Sequence, residues 1–111
     1  MSLATEKSAD VLVVMPEGQI HSANATGIEA ELMAQVDKGE RKMVMDLARL
    51  EFISSAGLRV LLVLAKRLKQ EGGALVLCGL SPQVREVFEI SGFLAILTAT
   101  ATREEALAKL A

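Results

Sequence analysis

Leu50-Glu-Phe-Ile-Ser-Ser-Ala-Gly-Leu-Arg-Val-Leu-Leu-Val-Leu-Ala-Lys-Arg-Leu68 is the stretch from which the rest of the chain is read. A loop leads to two serines, a small-residue elbow and an amphipathic run. Serine suits a helix start, because its side-chain oxygen accepts a bond from a backbone N–H that has no partner inside the helix. The pattern predicts a helix from about residue 56 to about residue 71, ended by Gly72-Gly73. At about 100° per residue, Leu58, Leu61, Leu62, Ala65 and Leu68 share one arc. Arg59, Lys66, Arg67 and Gln70 share the other, so the helix has a core face and a polar face. Val63 lies inside the polar arc. It reads either as a scattered surface valine or as part of a docking surface beside the serines.

A helix N-terminus carries a partial positive charge and free N–H groups, and so favours an anion, including a phosphate placed on a hydroxyl. Ser55 and Arg59 are four residues apart and share a face if the helix begins early enough. A phosphate on Ser55 would then be held by the helix N–H groups and by Arg59. It would add about −1.5 to −2 charge to the surface without unfolding the domain. The serine pair therefore admits two roles, cap and charge switch.

Working outward, Val11–Met15 is an apolar run closed by Pro16-Glu-Gly18, and it predicts a buried strand after a polar lead-in at residues 5–10. Residues 19–24 make a polar connection. Ile28, Leu32 and Val36 then recur every four residues on an amphipathic helix, capped by Asn24 or by a Thr26/Glu29 box and stopped at Gly39. Residues 42–47 give a second strand and Ala74–Cys78 a third. Ser81-Pro82 opens a helix with Val84, Val87 and Phe88 on its buried side and Ser91-Gly92 at its end. Residues 95–97 predict a short strand. Thr102-Arg-Glu-Glu105 is a capping box for a last helix with Leu107 and Leu110 facing inward. Helices alternate with continuous apolar strands, which predicts an α/β fold: a mostly parallel or mixed sheet of about four or five strands covered by about four helices.

With 111 residues and 51% hydrophobic content, residues 1–111 are expected to form one domain with a packed core. A formal charge of −2, from 12 basic and 14 acidic residues, supplies no positive field for a nucleic-acid backbone. Trp and Tyr are absent, so aromatic stacking platforms for single strands are missing as well. The longest strictly apolar run, residues 60–65, is far short of the roughly 20 residues needed to span a bilayer. Residues 1–7 do not read as a signal peptide. Cys78, the one cysteine, sits in an apolar run and is expected to be a buried thiol in a cytoplasmic protein.

Few groups converge for catalysis. His21 is the one histidine, which excludes a histidine metal cluster; a Ser-His-Asp triad would need it as base, and the plainer reading is a solvated loop residue. No glycine-rich phosphate loop of the Walker or dinucleotide type is present, so no cofactor is expected. Asp46 closes a strand, either as a binding-site acid or as a solvated strand end.

Gly18-Gln-Ile-His21, Met45-Asp-Leu47, Phe52-Ile-Ser-Ser-Ala-Gly-Leu58, Gly72-Gly73, Leu77-Cys-Gly-Leu-Ser-Pro82 and Ile90-Ser-Gly-Phe-Leu94 form an ordered set over nearly the whole chain. The set resembles the STAS domain, specifically the small bacterial anti-sigma factor antagonists. That resemblance implies a non-enzymatic switch with no cofactor. The unphosphorylated antagonist binds an anti-sigma factor, a serine kinase of the GHKL ATP-binding type, and frees the sigma factor. Phosphorylation at the elbow releases the antagonist, and a metal-dependent serine phosphatase restores it. Matching the family's Asp-Ser-Ser-Gly-Leu onto residues 54–58 puts the acceptor at Ser55, with Ser54 as a second candidate.

Ser54 stands where the family usually has an acid, Ala56 where it has a second hydroxyl, and His21 where an acid is common. The kinase-facing surface thus loses a charge, while Ser55 gains clarity as the acceptor. His21, Ser54, Ala56, Gly57, Arg59, Val63 and Lys66 are the expected partner-binding residues. An alternative within the same resemblance is a STAS subunit that regulates a membrane transport complex without a phosphorylation cycle. The serine retained at the elbow favours the switch.

Overall fold

The computed structural model describes residues 3–111. The three apolar runs become strands β2 (Val11–Met15), β4 (Lys42–Asp46) and β6 (Ala74–Cys78), which lie side by side and parallel. Alternate residues of each point to opposite faces. Leu12, Val14, Met43, Met45, Leu75 and Leu77 join a large core with helices α1 (Ala25–Asp37), α2 (Ser55–Gln70) and α3 (Pro82–Ser91). Val11, Val13, Val44, Val76 and Cys78 pack on the other face against Ala106 and Leu110 of α4 (Arg103–Leu110). Burial on both faces is why these strands read as unbroken apolar runs.

Two further strands complete the sheet. β1 (Ala4–Ser8) pairs antiparallel with β2, and β7 (Thr98–Thr100) pairs parallel with β6, giving the order β1-β2-β4-β6-β7. The polar lead-in is therefore an edge strand with every residue exposed, held by pairing rather than by burial. The strand expected at residues 95–97 is displaced. A 3₁₀ turn, Phe93–Ala95, leads to Leu97, which inserts into the core while Ile96 stays 64% exposed, and pairing starts only at Thr98.

The supposed loop before the serines is also a strand. β5 (Leu50–Ile53) pairs parallel with β3 (Gly18–Ile20) in a separate two-stranded sheet, of which Ile20, Leu50 and Ile53 are buried.

The predicted caps vary in how they are realised. Ser81 accepts from the Val84 N–H at 3.3 Å with Pro82 behind it, and Thr102 and Glu105 form the expected reciprocal box. Asn24 is the N-cap residue of α1, but its side chain turns back: Oδ1 accepts from the His21 N–H at 2.9 Å and Nδ2 donates to the Gln19 carbonyl at 2.8 Å. In α4, Ala106 and Leu110 are the buried pair and Leu107 is half-buried.

The buried side of α2 is Gly57, Leu58, Val60, Leu61, Leu64 and Leu68, while Leu62 and Ala65 are half-buried. Relative to the sequence expectation this arc is rotated toward α1. The rotation brings in the buried Val60 and Leu64, and Arg67, expected in the solvated arc, lies at its margin. Its guanidinium reaches Asp37 on α1 at 2.6 Å and Glu71 at 2.8 Å, so a charged side chain covers the α1–α2 seam.

Candidate functional site

β5 delivers the chain to the elbow, where the Ser54 N–H donates to the Ile20 carbonyl at 2.9 Å and ties the start of α2 to the end of β3. Ser54 has extended backbone, and its Oγ accepts from the Gly57 N–H at 3.3 Å. Its carbonyl accepts the first intrahelical bond, from the Leu58 N–H at 3.0 Å. Ser54 is thus the N-cap, and it is half-buried. Ser55 is the first residue of α2, exposed, and its hydroxyl has no hydrogen bond among the described residues. The two serines therefore differ: one satisfies the helix end and the other is left to solvent.

Gly57 makes the elbow possible. A Cβ there would lie 2.6 Å from Ile53 Cγ1 and 2.7 Å from Ile20 Cγ2, so only glycine lets α2 begin directly on the β3–β5 pair.

Ser55, Ala56, Arg59 and Val60 line an open depression together with Ser22 from the turn before α1, Ala25, Thr26 and Glu29 from the start of α1, and Phe93. Arg59 is exposed and has no ion pair among the described residues. Ser55 and Arg59 therefore share a face, one turn apart, at the positive end of the helix. Thr26 and Glu29 are assigned by sequence to a cap; their i, i+3 spacing instead puts both on the wall of the depression. Phe93, part of the Ile90–Leu94 motif, lines the depression from the 3₁₀ turn that follows α3.

Not every expected residue gathers here. His21 follows the end of β3, and its Nδ1 accepts from the Ala23 N–H at 3.2 Å, bracing the turn that leads to Ser22. Gly57 is buried beneath the depression. Val63 is half-buried rather than exposed and lies outside it, about 12 Å along the helix from Ser55. Lys66 is exposed and lines a different hollow near the far end of α2.

Asp46 is neither a solvated strand end nor a free acid. Its Oδ2 lies 2.9 Å from both Nε and Nη2 of Arg103, and its Oδ1 accepts from the Ala48 N–H at 3.1 Å. Arg103 also reaches Glu6 at 2.8 Å, so one guanidinium pins α4 to β4 and β1. Cys78 is fully buried, and burial, reinforced by the Asp46 charge, pushes its thiol up to about 11. Among the described residues no group of three or more His, Cys, Asp or Glu could hold a metal, and no helix is long and apolar enough to cross a membrane.

A family model for the STAS domain matches residues 2–106. A protein of Bordetella bronchiseptica that carries the name anti-sigma factor antagonist BtrV is 57% identical over 108 residues, spanning 97% of this chain and 93% of that one. A Thermotoga maritima protein named as an anti-sigma factor antagonist shares the fold, with a TM-score of 0.92 at 23% identity over 97% of this chain and 93% of that one. The anti-sigma factor antagonist SpoIIAA of Bacillus, in its unphosphorylated form, gives a TM-score of 0.81 at 25% identity over 97% and 95% of the two chains. The match along 2–106, the strand order and the serine-capped helix on its paired strands agree, and the chain belongs to the STAS domain family.

Proposed function

We propose that this chain is an anti-sigma factor antagonist that works by partner switching. Unphosphorylated, it binds an anti-sigma factor, a serine kinase of the GHKL type, in the cytoplasm, and so frees a sigma factor. Phosphorylation of Ser55 by that kinase releases it, and a metal-dependent serine phosphatase resets it. The chain itself catalyses nothing in this cycle, and residues 1–111 act as one unit.

The observation that carries this reading is the division of labour at the elbow. Ser54 Oγ is engaged as the cap, whereas Ser55 Oγ is exposed beside Arg59, which is unpaired among the described residues. A kinase needs a reachable hydroxyl, and of the two elbow serines Ser55 is the exposed one; Ala56 offers none. A phosphate there would meet the helix N-terminus and the Arg59 guanidinium, so added charge would stay ordered on the surface. The relative at 57% identity carries the antagonist name, and SpoIIAA is known in unphosphorylated and phosphorylated forms.

The test is incubation with the candidate anti-sigma kinase and ATP, followed by mass mapping and by binding measurements on Ser55→Ala and Ser55→Asp. The expected results are one phosphate on Ser55, retained binding by Ser55→Ala and binding weakened about tenfold or more by Ser55→Asp. Wild-type-like binding by Ser55→Asp, with no phosphate on either serine, would overturn the reading.

A further inference from the structure

At the far end of α2 a second open hollow lies against the edge of the sheet. Leu62 and Ala65 of α2 form one wall, Ile96 and Leu97 before β7 form the other, and Lys66 and Lys69 stand over it. Ile96 is 64% exposed at its lip although it is a large aliphatic side chain. Neither lysine has an ion pair among the described residues, whereas Arg67 on the same helix is held by Asp37 and Glu71. An apolar hollow under two uncommitted cations is complementary to a segment that presents an apolar side chain flanked by carboxylates.

Distance separates this hollow from the switch. Lys66 and Lys69 are 11 and 14 residues beyond Ser55 on one helix. They are therefore displaced by about 16 and 21 Å along its axis. The Debye length at physiological ionic strength is about 8 Å. A phosphate on Ser55 is therefore screened from the lysines.

We infer that the hollow is a second docking point, for an acidic-apolar segment of the anti-sigma factor, and that its hold does not depend on the phosphorylation state of Ser55. The inference rests on the proposed function, since it names a further contact for the same partner. Phosphorylation then removes the elbow contact while the distal contact still contributes, which sets how completely the two proteins separate.

Calorimetric titration with the purified anti-sigma factor, identified as the one whose binding Ser55→Asp weakens without abolishing it, tests this. The chains compared are wild type, Lys66→Glu/Lys69→Glu and Ile96→Ser, each with and without Ser55→Asp. The altered side chains are exposed, so unchanged circular dichroism is expected, with Tm lowered by no more than a few degrees where the new carboxylates meet the negative end of α2. Each distal variant should weaken binding about five-fold or more, the lysine pair should flatten the salt dependence, and the losses should multiply with that of Ser55→Asp. Affinities within about two-fold of wild type for both distal variants, with Ser55→Asp still defective, overturn the docking point and leave the switch intact. Distal losses that vanish in the Ser55→Asp background overturn its independence. Should no anti-sigma factor discriminate Ser55→Asp, the functional reading itself fails.

Discussion

Two adjacent serines with opposite surroundings make the elbow testable one side chain at a time. Ser54→Ala removes the bond to the Gly57 N–H and should cost about 1 kcal/mol in denaturant unfolding, the usual worth of an N-cap. Ser55→Ala breaks no hydrogen bond among the described residues and should change stability by less than about 0.5 kcal/mol, while abolishing phosphate incorporation. Gly57→Ala opposes two effects. Helix propensity favours alanine by about 1 kcal/mol. A methyl group 2.6 Å from Ile53 and 2.7 Å from Ile20 meets branched side chains near their backbones, with no flexible end to move aside. Overpacking of that kind costs about 1–3 kcal/mol, so a net loss of stability is expected by chemical denaturation, with the start of α2 pushed off β3 and β5. The sequence made the cap and the small-residue elbow readable, because Ser and Gly at a helix start have local causes. It did not show which serine was spent, since that depends on where β5 ends and helical geometry begins.

At the scale of elements, what could be read followed what was buried. β2, β4 and β6 announce themselves because both faces are covered, whereas β1 has no buried residue and β7 is only three residues long. β3 and β5 escape notice because each is brief and is recognised mainly by pairing with the other. On α2 the buried arc shifts because Val60 and Leu64 pack into the core, and Arg67 beside them, although charged, is engaged by Asp37 and Glu71 at the α1–α2 seam. Arg103 plays the corresponding part for α4, and its pairing with Asp46 keeps its own proton held more tightly than usual. Arg103→Ala strands the Asp46 carboxylate, whose side chain is only 13% exposed, at an expected cost of about 1–3 kcal/mol. Loosening of α4 should also show as faster amide exchange in α4 and faster reaction of Cys78 with a thiol reagent, because Ala106 and Leu110 cover that face of the sheet.

The molecule as a whole places its two kinds of sensitivity on opposite faces of one sheet. On the α4 face, the Cys78 thiol is raised from 9.0 to about 11, so the unfolded chain releases this proton before the folded one does. The folded state then binds more protons between those values, and stability should fall as pH rises from about 9 to 11. Cys78→Ser or Cys78→Ala should flatten that alkaline limb in pH-dependent unfolding. On the other face the Ser55 side of the elbow is exposed, with the core packed behind it. A phosphate on Ser55 meets the N-terminal N–H groups of α2 and Arg59, and displaces no buried side chain. Phosphorylation should therefore leave far-UV circular dichroism unchanged and hold Tm within a few degrees of the unmodified chain, or slightly above it, since an anion at a helix N-terminus is worth about 0.3–1 kcal/mol. Arg59→Ala should remove part of any such gain without altering the unmodified protein's Tm. A large loss of helix on phosphorylation would mean that release proceeds by disrupting the fold instead of by repelling a partner from an intact surface.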